Sequence, residues 1–232
     1  MAPVTIHVEG HSTLYRLAER AAMSVDISSE GPSQDIVSTD VTATARKLQS
    51  ELDELCPLSA DGSGEISPDA PVSFYALEAL STWSRADTDK EGNETGGRTY
   101  GARTHLDIRF RDFSRLGAMT DMLSKMPLIS VKGVTWKLTE ETEKLLAVQS
   151  RKEALEDAVQ RARDFAEVVG CKKVECVEIT QGDEPVSYGR TRQTARRSTG
   201  GAMSGGEVGG GLDFEPQKVM KNASVSVQFI AS

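Results

Sequence analysis

The stretch Glu153-Ala154-Leu155-Glu156-Asp157-Ala158-Val159-Gln160-Arg161-Ala162-Arg163-Asp164-Phe165-Ala166-Glu167-Val168-Val169-Gly170 decides the architecture of this chain. It is the second half of a helical pattern running from about Glu140 to Val169, in which Val148, Leu155, Ala158, Ala162, Phe165 and Val169 form one apolar stripe predicted to face a core. Glu140, Glu141 and Glu143 stand at the positive end of the helix dipole, and Gly170 is the expected stop. Asp157 and Arg161, four apart, form the kind of exposed pair that contributes about 0.3–0.5 kcal/mol and marks a solvated face.

Around this helix the chain reads mostly as strands. Val4, Ile6 and Val8 alternate with Thr5, His7 and Glu9, and Gly10 is read as the end of that strand. Ala21, Met23, Val25 and Ile27 alternate with Ala22, Ser24 and Asp26, predicting a second strand able to form a hairpin with the first. Tyr100, Ala102, Thr104, Leu106, Ile108 and Phe110 give the clearest alternation, and Val131–Leu138, Val174–Ile179 and Ala223–Phe229 add three more strands. Residues 72–84 fit either a helix through Val72, Tyr75, Ala79 and Trp83 or, in part, a strand through Val72, Phe74, Ala76 and Leu80, with strand the preferred reading.

Two shorter helices complete the pattern. One follows Ser33, with Val37, Val41, Ala45, Leu48, Leu52 and Leu55 at helical spacing and Pro57 as its stop. The other follows the capping residue Asp112 and carries Phe113, Leu116, Met119, Leu123 and Met126 up to Pro127. The expected fold class is therefore α+β: a mainly antiparallel sheet of about seven strands against two or three helices, including one long Ala-rich helix. A single domain over residues 1–232 is the simplest organisation, with surface loops at 56–71 and 86–98 and a flexible Arg/Gly-rich insertion at 183–214 before the last strand.

Composition narrows the function. With 27 basic and 35 acidic residues the chain carries a net charge of -8, which disfavours a nucleic-acid partner outside some local patch. No apolar window is long enough to span a membrane and no basic-then-apolar leader opens the sequence, so a cytoplasmic protein, or a nuclear one, is expected. Three cysteines, Cys56, Cys171 and Cys176, match no zinc or redox spacing and read as small buried apolar residues.

The order and spacing of these segments resemble the SIMPL-domain proteins, which include bacterial YggE-type periplasmic proteins and animal interleukin receptor-associated kinase-binding proteins. The resemblance is carried by Val8-Glu9-Gly10, the Ala21–Ile27 strand, Tyr100-Gly101-Ala102 and Leu106–Phe110. It continues through Leu116–Leu123, Val131-Lys132-Gly133-Val134-Thr135-Trp136 and the closing Ala223–Val227 strand. Ala154, Ala158, Ala162 and Ala166, followed by Val168-Val169-Gly170, are similar to the family's alanine ladder and stop. Two features depart from it: the leader of the bacterial members is missing, and the run from Arg190 to Gly211 is unlike the family. The resemblance implies a protein-binding, self-associating domain, an adaptor in signalling or stress response.

No catalytic, cofactor or metal motif stands out. His7, His11 and His105 are the only histidines, and His7 and His105 fall on outward faces of strands, where a surface role is expected. Gly205–Gly211 lacks the Lys-Ser/Thr ending and strand-to-helix setting of a phosphate loop, and Asp61–Glu65 lacks the alternating oxygen ligands of a calcium loop. The expectation is a non-enzymatic interaction or assembly domain with a protein partner and homo-oligomers, and no cofactor or membrane. The alternative is an RNA- or phosphate-contacting regulatory role through Arg190, Arg192, Arg196 and Arg197 and the glycines from Gly200 to Gly211.

Overall fold

The structure, a computed structural model, describes residues 3–60, 64–181 and 214–232. Along the chain its elements are β1 (Val4–Leu17), β2 (Arg20–Gly31), α1 (Gln34–Leu55), β3 (Val72–Leu77), β4 (Ser81–Thr88) and β5 (Glu94–Phe110). There follow α2 (Phe113–Ser124), β6 (Ile129–Lys137), α3 (Glu140–Val168), β7 (Val174–Gln181) and β8 (Lys218–Ala231). The class is α+β as the patterning predicts, but the strands form two antiparallel sheets. One has the order β1-β8-β7; the other runs β3-β5-β2-β6, with β4 also paired to β5. The chain folds as two compact units, one built from residues up to Glu19, Trp136 onward through β7 and Gln217 onward, the other from Arg20–Thr135.

In the first unit β8 is the central strand. Its whole length pairs with β1, from Val4↔Ala231 to Leu17↔Lys218, and its second half pairs with β7. The hairpin expected between the first two strands does not form: β1 pairs with β8, and β2 pairs with β5. Alternation specifies which face of a strand is buried, and both strands satisfy it with other partners.

Gly10 is not the end of β1 but its closest point to α3. A Cβ there would stand 2.0 Å from the Ala154 carbonyl oxygen and 2.8 Å from the Ala158 Cβ. At that separation only small side chains fit, so Ala154, Ala158, Ala162 and Ala166 fill the interface together with Ile6, Val8, Val225, Val227 and Phe229. This corrects the predicted stripe. Ala158 and Ala162 are buried, whereas Val148, Phe165 and Val169 are turned outward and exposed. Size rather than hydrophobicity sorts the residues of this helix.

Two polar contacts hold α3 along β1. The backbone N–H of His11 donates to Asp157 Oδ2 at 2.9 Å, and Ser12 Oγ donates to Glu153 Oε2 at 2.9 Å. The start of α3 is capped by the Thr139 side chain, and Glu19 accepts from the Thr139 N–H and hydroxyl at 2.8 and 2.6 Å.

In the second unit β2 and β5 pair from Ala21↔Phe110 to Gly31↔Tyr100. Met23, Val25, Ile27, Leu106, Ile108 and Phe110 point to one face, where Val37, Val41, Leu48 and Leu52 of α1 cover them. Asp112 caps α2 as predicted, accepting from the N–H groups of Ser114 and Arg115. Ser33 occupies the cap position of α1 without a side-chain bond to the helix.

Residues 72–84 hold two strands, both on the same edge of β5. Across the break the Glu78 N–H donates to the His105 carbonyl and Thr104 Oγ1 donates to the Glu78 carbonyl, keeping the chain alongside its partner. The loop predicted over 86–98 shrinks to the residues between Thr88 and Glu94. Asp89 Oδ1 accepts the Glu91 and Asn93 N–H groups there, an Asx-type turn. The strand ends next to this turn, about 85–88 and 94–99, read as loop because both of their faces are largely solvated, so no alternation marks them.

Residues 61–63, inside the expected 56–71 loop, lie outside the described residues; the ends of that loop are joined by a bridge between Leu58 and Ile66. The expected insertion at 183–214 lies outside them too, apart from Phe214.

Candidate functional site

The face of the five-stranded sheet opposite α1 gathers the most chemistry. The alternation that sends Met23, Val25 and Ile27 into the core sends Ser24 and Asp26 to the other face. The same rule on β5 places Arg103, His105 and Asp107 there. Because Asp26 is the register partner of His105 and Ser24 that of Asp107, these side chains meet.

His105 Nδ1 lies 2.7 Å from Asp26 Oδ1, and His105 Nε2 lies 3.0 Å from Ser24 Oγ and 3.4 Å from Asp107 Oδ1. Asp26 also receives Arg103 Nη2 at 3.1 Å and, from β6, Lys132 Nζ at 3.2 Å. The Asp26 side chain is 6 % exposed and that of His105 20 %, while those of Arg103 and Lys132 are more than half exposed. The carboxylate is thus anchored under its cationic partners, with the imidazole beside it.

Burial opposes charge on Asp26. The hydrogen bond from His105, that from Lys132 and the Arg103 charge outweigh it and hold the carboxyl below the ordinary aspartate range. The bond to Asp26 raises the His105 imidazole above the ordinary histidine range against its own burial, with Asp107 adding to the rise. The two shifts act on stability at opposite ends of the pH scale. The raised His105 value contributes stability in full below the ordinary 6.5, lost as pH rises through the folded value. The lowered Asp26 value contributes above the ordinary 3.8 and is lost as pH falls. Both are present between those limits. The melting temperature of the wild-type chain should therefore fall, relative to His105→Gln, as pH rises above about 6.5. Parallel Tm curves for the two proteins across that range would contradict this account.

Both His7 and His105 lie on the outward faces of their strands as predicted; His7 lines a shallow depression on the three-stranded sheet with Glu9, Glu178, Thr180, Ser226 and Gln228. His105 is a partly buried member of the Asp26 cluster. Residue alternation shows that Ser24, Asp26, His105 and Asp107 face outward, but the pairing that joins them is a property of register. Arg190, Arg192, Arg196 and Arg197, and the glycines from Gly200 to Gly211, lie outside the described residues.

The first unit presents a different feature. On the outer edge of β1 one backbone N–H, that of His11, is engaged by α3 through Asp157. β7 pairs with β8 alone, through a register shift between Cys176 and Glu178, and among the described residues no strand lies on its other side. Val177 and Ile179 on it are each 54 % exposed. At the end of the helix before it, Phe165 and Val168 are 53 % and 87 % exposed. Cys56 and Cys171 are buried as expected, but Cys176 is exposed on this strand. No described helix is long and apolar enough to cross a membrane.

No curated protein matches the chain. Residues 6–229 match the family model described as SIMPL, a protein of unknown function (DUF541), a match that spans both compact units apart from the outer ends of β1 and β8. With the alanine ladder, the two sheets and nearly the full length accounted for by that match, the chain belongs to the SIMPL family.

Proposed function

We propose that this SIMPL domain is a protein-interaction and assembly module that pairs with a second copy of itself through the outer edge of β7. The observation that carries the reading is the combination, on one strand, of an edge with no neighbouring strand among the described residues and the exposed side chains of Val177 and Ile179. A soluble protein blunts such an edge with charge, covers it or uses it, because its free N–H and C=O groups form a template for another strand. Glu175 and Glu178 blunt β7 only in part. Phe165 and Val168 near the end of α3 are further exposed apolar side chains on the same unit.

Ile179→Lys places a charge on the edge without entering the core. Light scattering of the full chain should give a mass above that of a monomer, and the variant should return to monomer with an unchanged circular dichroism spectrum. A wild-type chain that is monomeric at tens of micromolar, or a variant that assembles as well as wild type, would remove the support for this edge.

A further inference from the structure

We propose that Ser24 is an acyl-acceptor site, with His105 as the base that takes its proton and Asp26 as the carboxylate that orients the imidazole. Three observations on the second unit carry it. The contacts run in the order a nucleophilic serine requires: Oγ to Nε2 at 3.0 Å, then Nδ1 to carboxylate at 2.7 Å, each nitrogen facing the group that suits its role. The carboxylate is 6 % exposed and held by Arg103 and Lys132, so it fixes the tautomer in which Nδ1–H donates to Asp26 and Nε2 accepts the Ser24 proton. Finally, the cluster sits on the sheet face opposite α1, and Ser24 is part-exposed, so an ester can reach it.

The step balances within the cluster and the donor. As the bond from Ser24 Oγ to the carbonyl carbon forms, the hydroxyl proton passes to His105 Nε2. The bond from carbonyl carbon to leaving oxygen then breaks, and the leaving group departs with its electron pair and takes the proton from Nε2. The product is acyl-Ser24 and a neutral imidazole. Arg103 and Lys132 are both paired with Asp26. Both cations already neutralise Asp26 rather than a developing oxyanion, so the site takes up one acyl group rather than turning over.

The charged groups facing His105 are Asp26 on β2, Arg103 and Asp107 on β5 and Lys132 on β6. With the imidazole protonated, Nε2–H is shared between Ser24 and Asp107 and cannot accept a proton. Acylation must therefore rise with pH as His105 loses its charge.

The test is incubation of the full chain with 4-nitrophenyl acetate, read by intact mass and by mapping the acetylated peptide. Acetyl should accumulate on Ser24 in preference to the other serines, at a rate about a hundredfold above His105→Gln, the lower end of what a positioned base contributes. It should rise with pH along a single titration. Acetyl spread over lysines and many serines, or equal Ser24 labelling in His105→Gln, would overturn the assignment. The wild-type profile needs no variant: labelling of Ser24 that is flat in pH overturns it even if the substituted chains fail to fold. Assembly through β7 is read by mass alone, so either proposal can fail without the other.

Discussion

Replacing Gly10 by alanine should destabilise the first unit by about 3 kcal/mol, the upper end of what overpacking costs, although it adds a single methyl group. The new Cβ would meet the Ala154 carbonyl oxygen at 2.0 Å and the Ala158 backbone nitrogen at 2.7 Å. Both are backbone atoms of α3, so no rotamer change relieves the clash. The helix must lift off β1, which also breaks the bonds from His11 to Asp157 and from Ser12 to Glu153. Such a loss is a large share of the roughly 5–15 kcal/mol that holds a domain together. In a Trp83→Phe background Trp136, which belongs to the same unit and is buried, becomes the only indole reporting on guanidinium unfolding. The transition followed by Trp136 should move to markedly lower denaturant. An unmoved midpoint would mean that α3 does not sit on β1 as described.

Phe110→Ala should cost about 3–5 kcal/mol, the usual range for removing a fully buried phenylalanine. Phe110 has no exposed surface and lies between Ala21 of β2 and Val72 of β3, so its loss opens a cavity that two neighbouring strands cannot close without losing register. Phe165→Ala serves as the contrast. That ring is on the helix face predicted to be core, yet it is 53 % exposed, and its loss should change stability by no more than about 0.5 kcal/mol. Urea titrations of the two variants separate the readings: similar costs would place Phe165 in a core after all.

The contrast between these phenylalanines shows what the sequence could and could not convey. Period-2 alternation identifies Phe110, because a strand with one solvated face writes its burial directly into residue order. On α3 the same reasoning misassigned Val148, Phe165 and Val169, because the face against β1 is chosen for small volume at the Gly10 approach and not for hydrophobicity. The alanine ladder carries that information, with Gly10 opposite Ala154 and Ala158.

Partner choice was hidden for a similar reason. The strand pattern of β1 is satisfied equally by a neighbouring hairpin or by a strand at the far end of the chain. The Asp26 cluster depends on register in the same way: each of its members is an ordinary outward polar residue until Asp26 is set opposite His105. The strand ends beside the Asp89 turn read as loop because solvent on both sides leaves no pattern to read.

The pairing of β1 with β8 also orders events in time. About 200 residues separate Leu17 from Lys218, so at ordinary elongation rates roughly 10–40 s of synthesis pass before β1 meets its partner. The Arg20–Thr135 segment, contiguous in the chain, leaves the ribosome in one piece and can acquire its core during that interval. Throughout it β1 is a nascent strand without its central neighbour and α3 has no completed sheet to settle on. The first unit is thus assembled last although it contains the first residues made, and a nascent chain stalled before β8 would expose an aggregation-prone strand that the finished molecule hides.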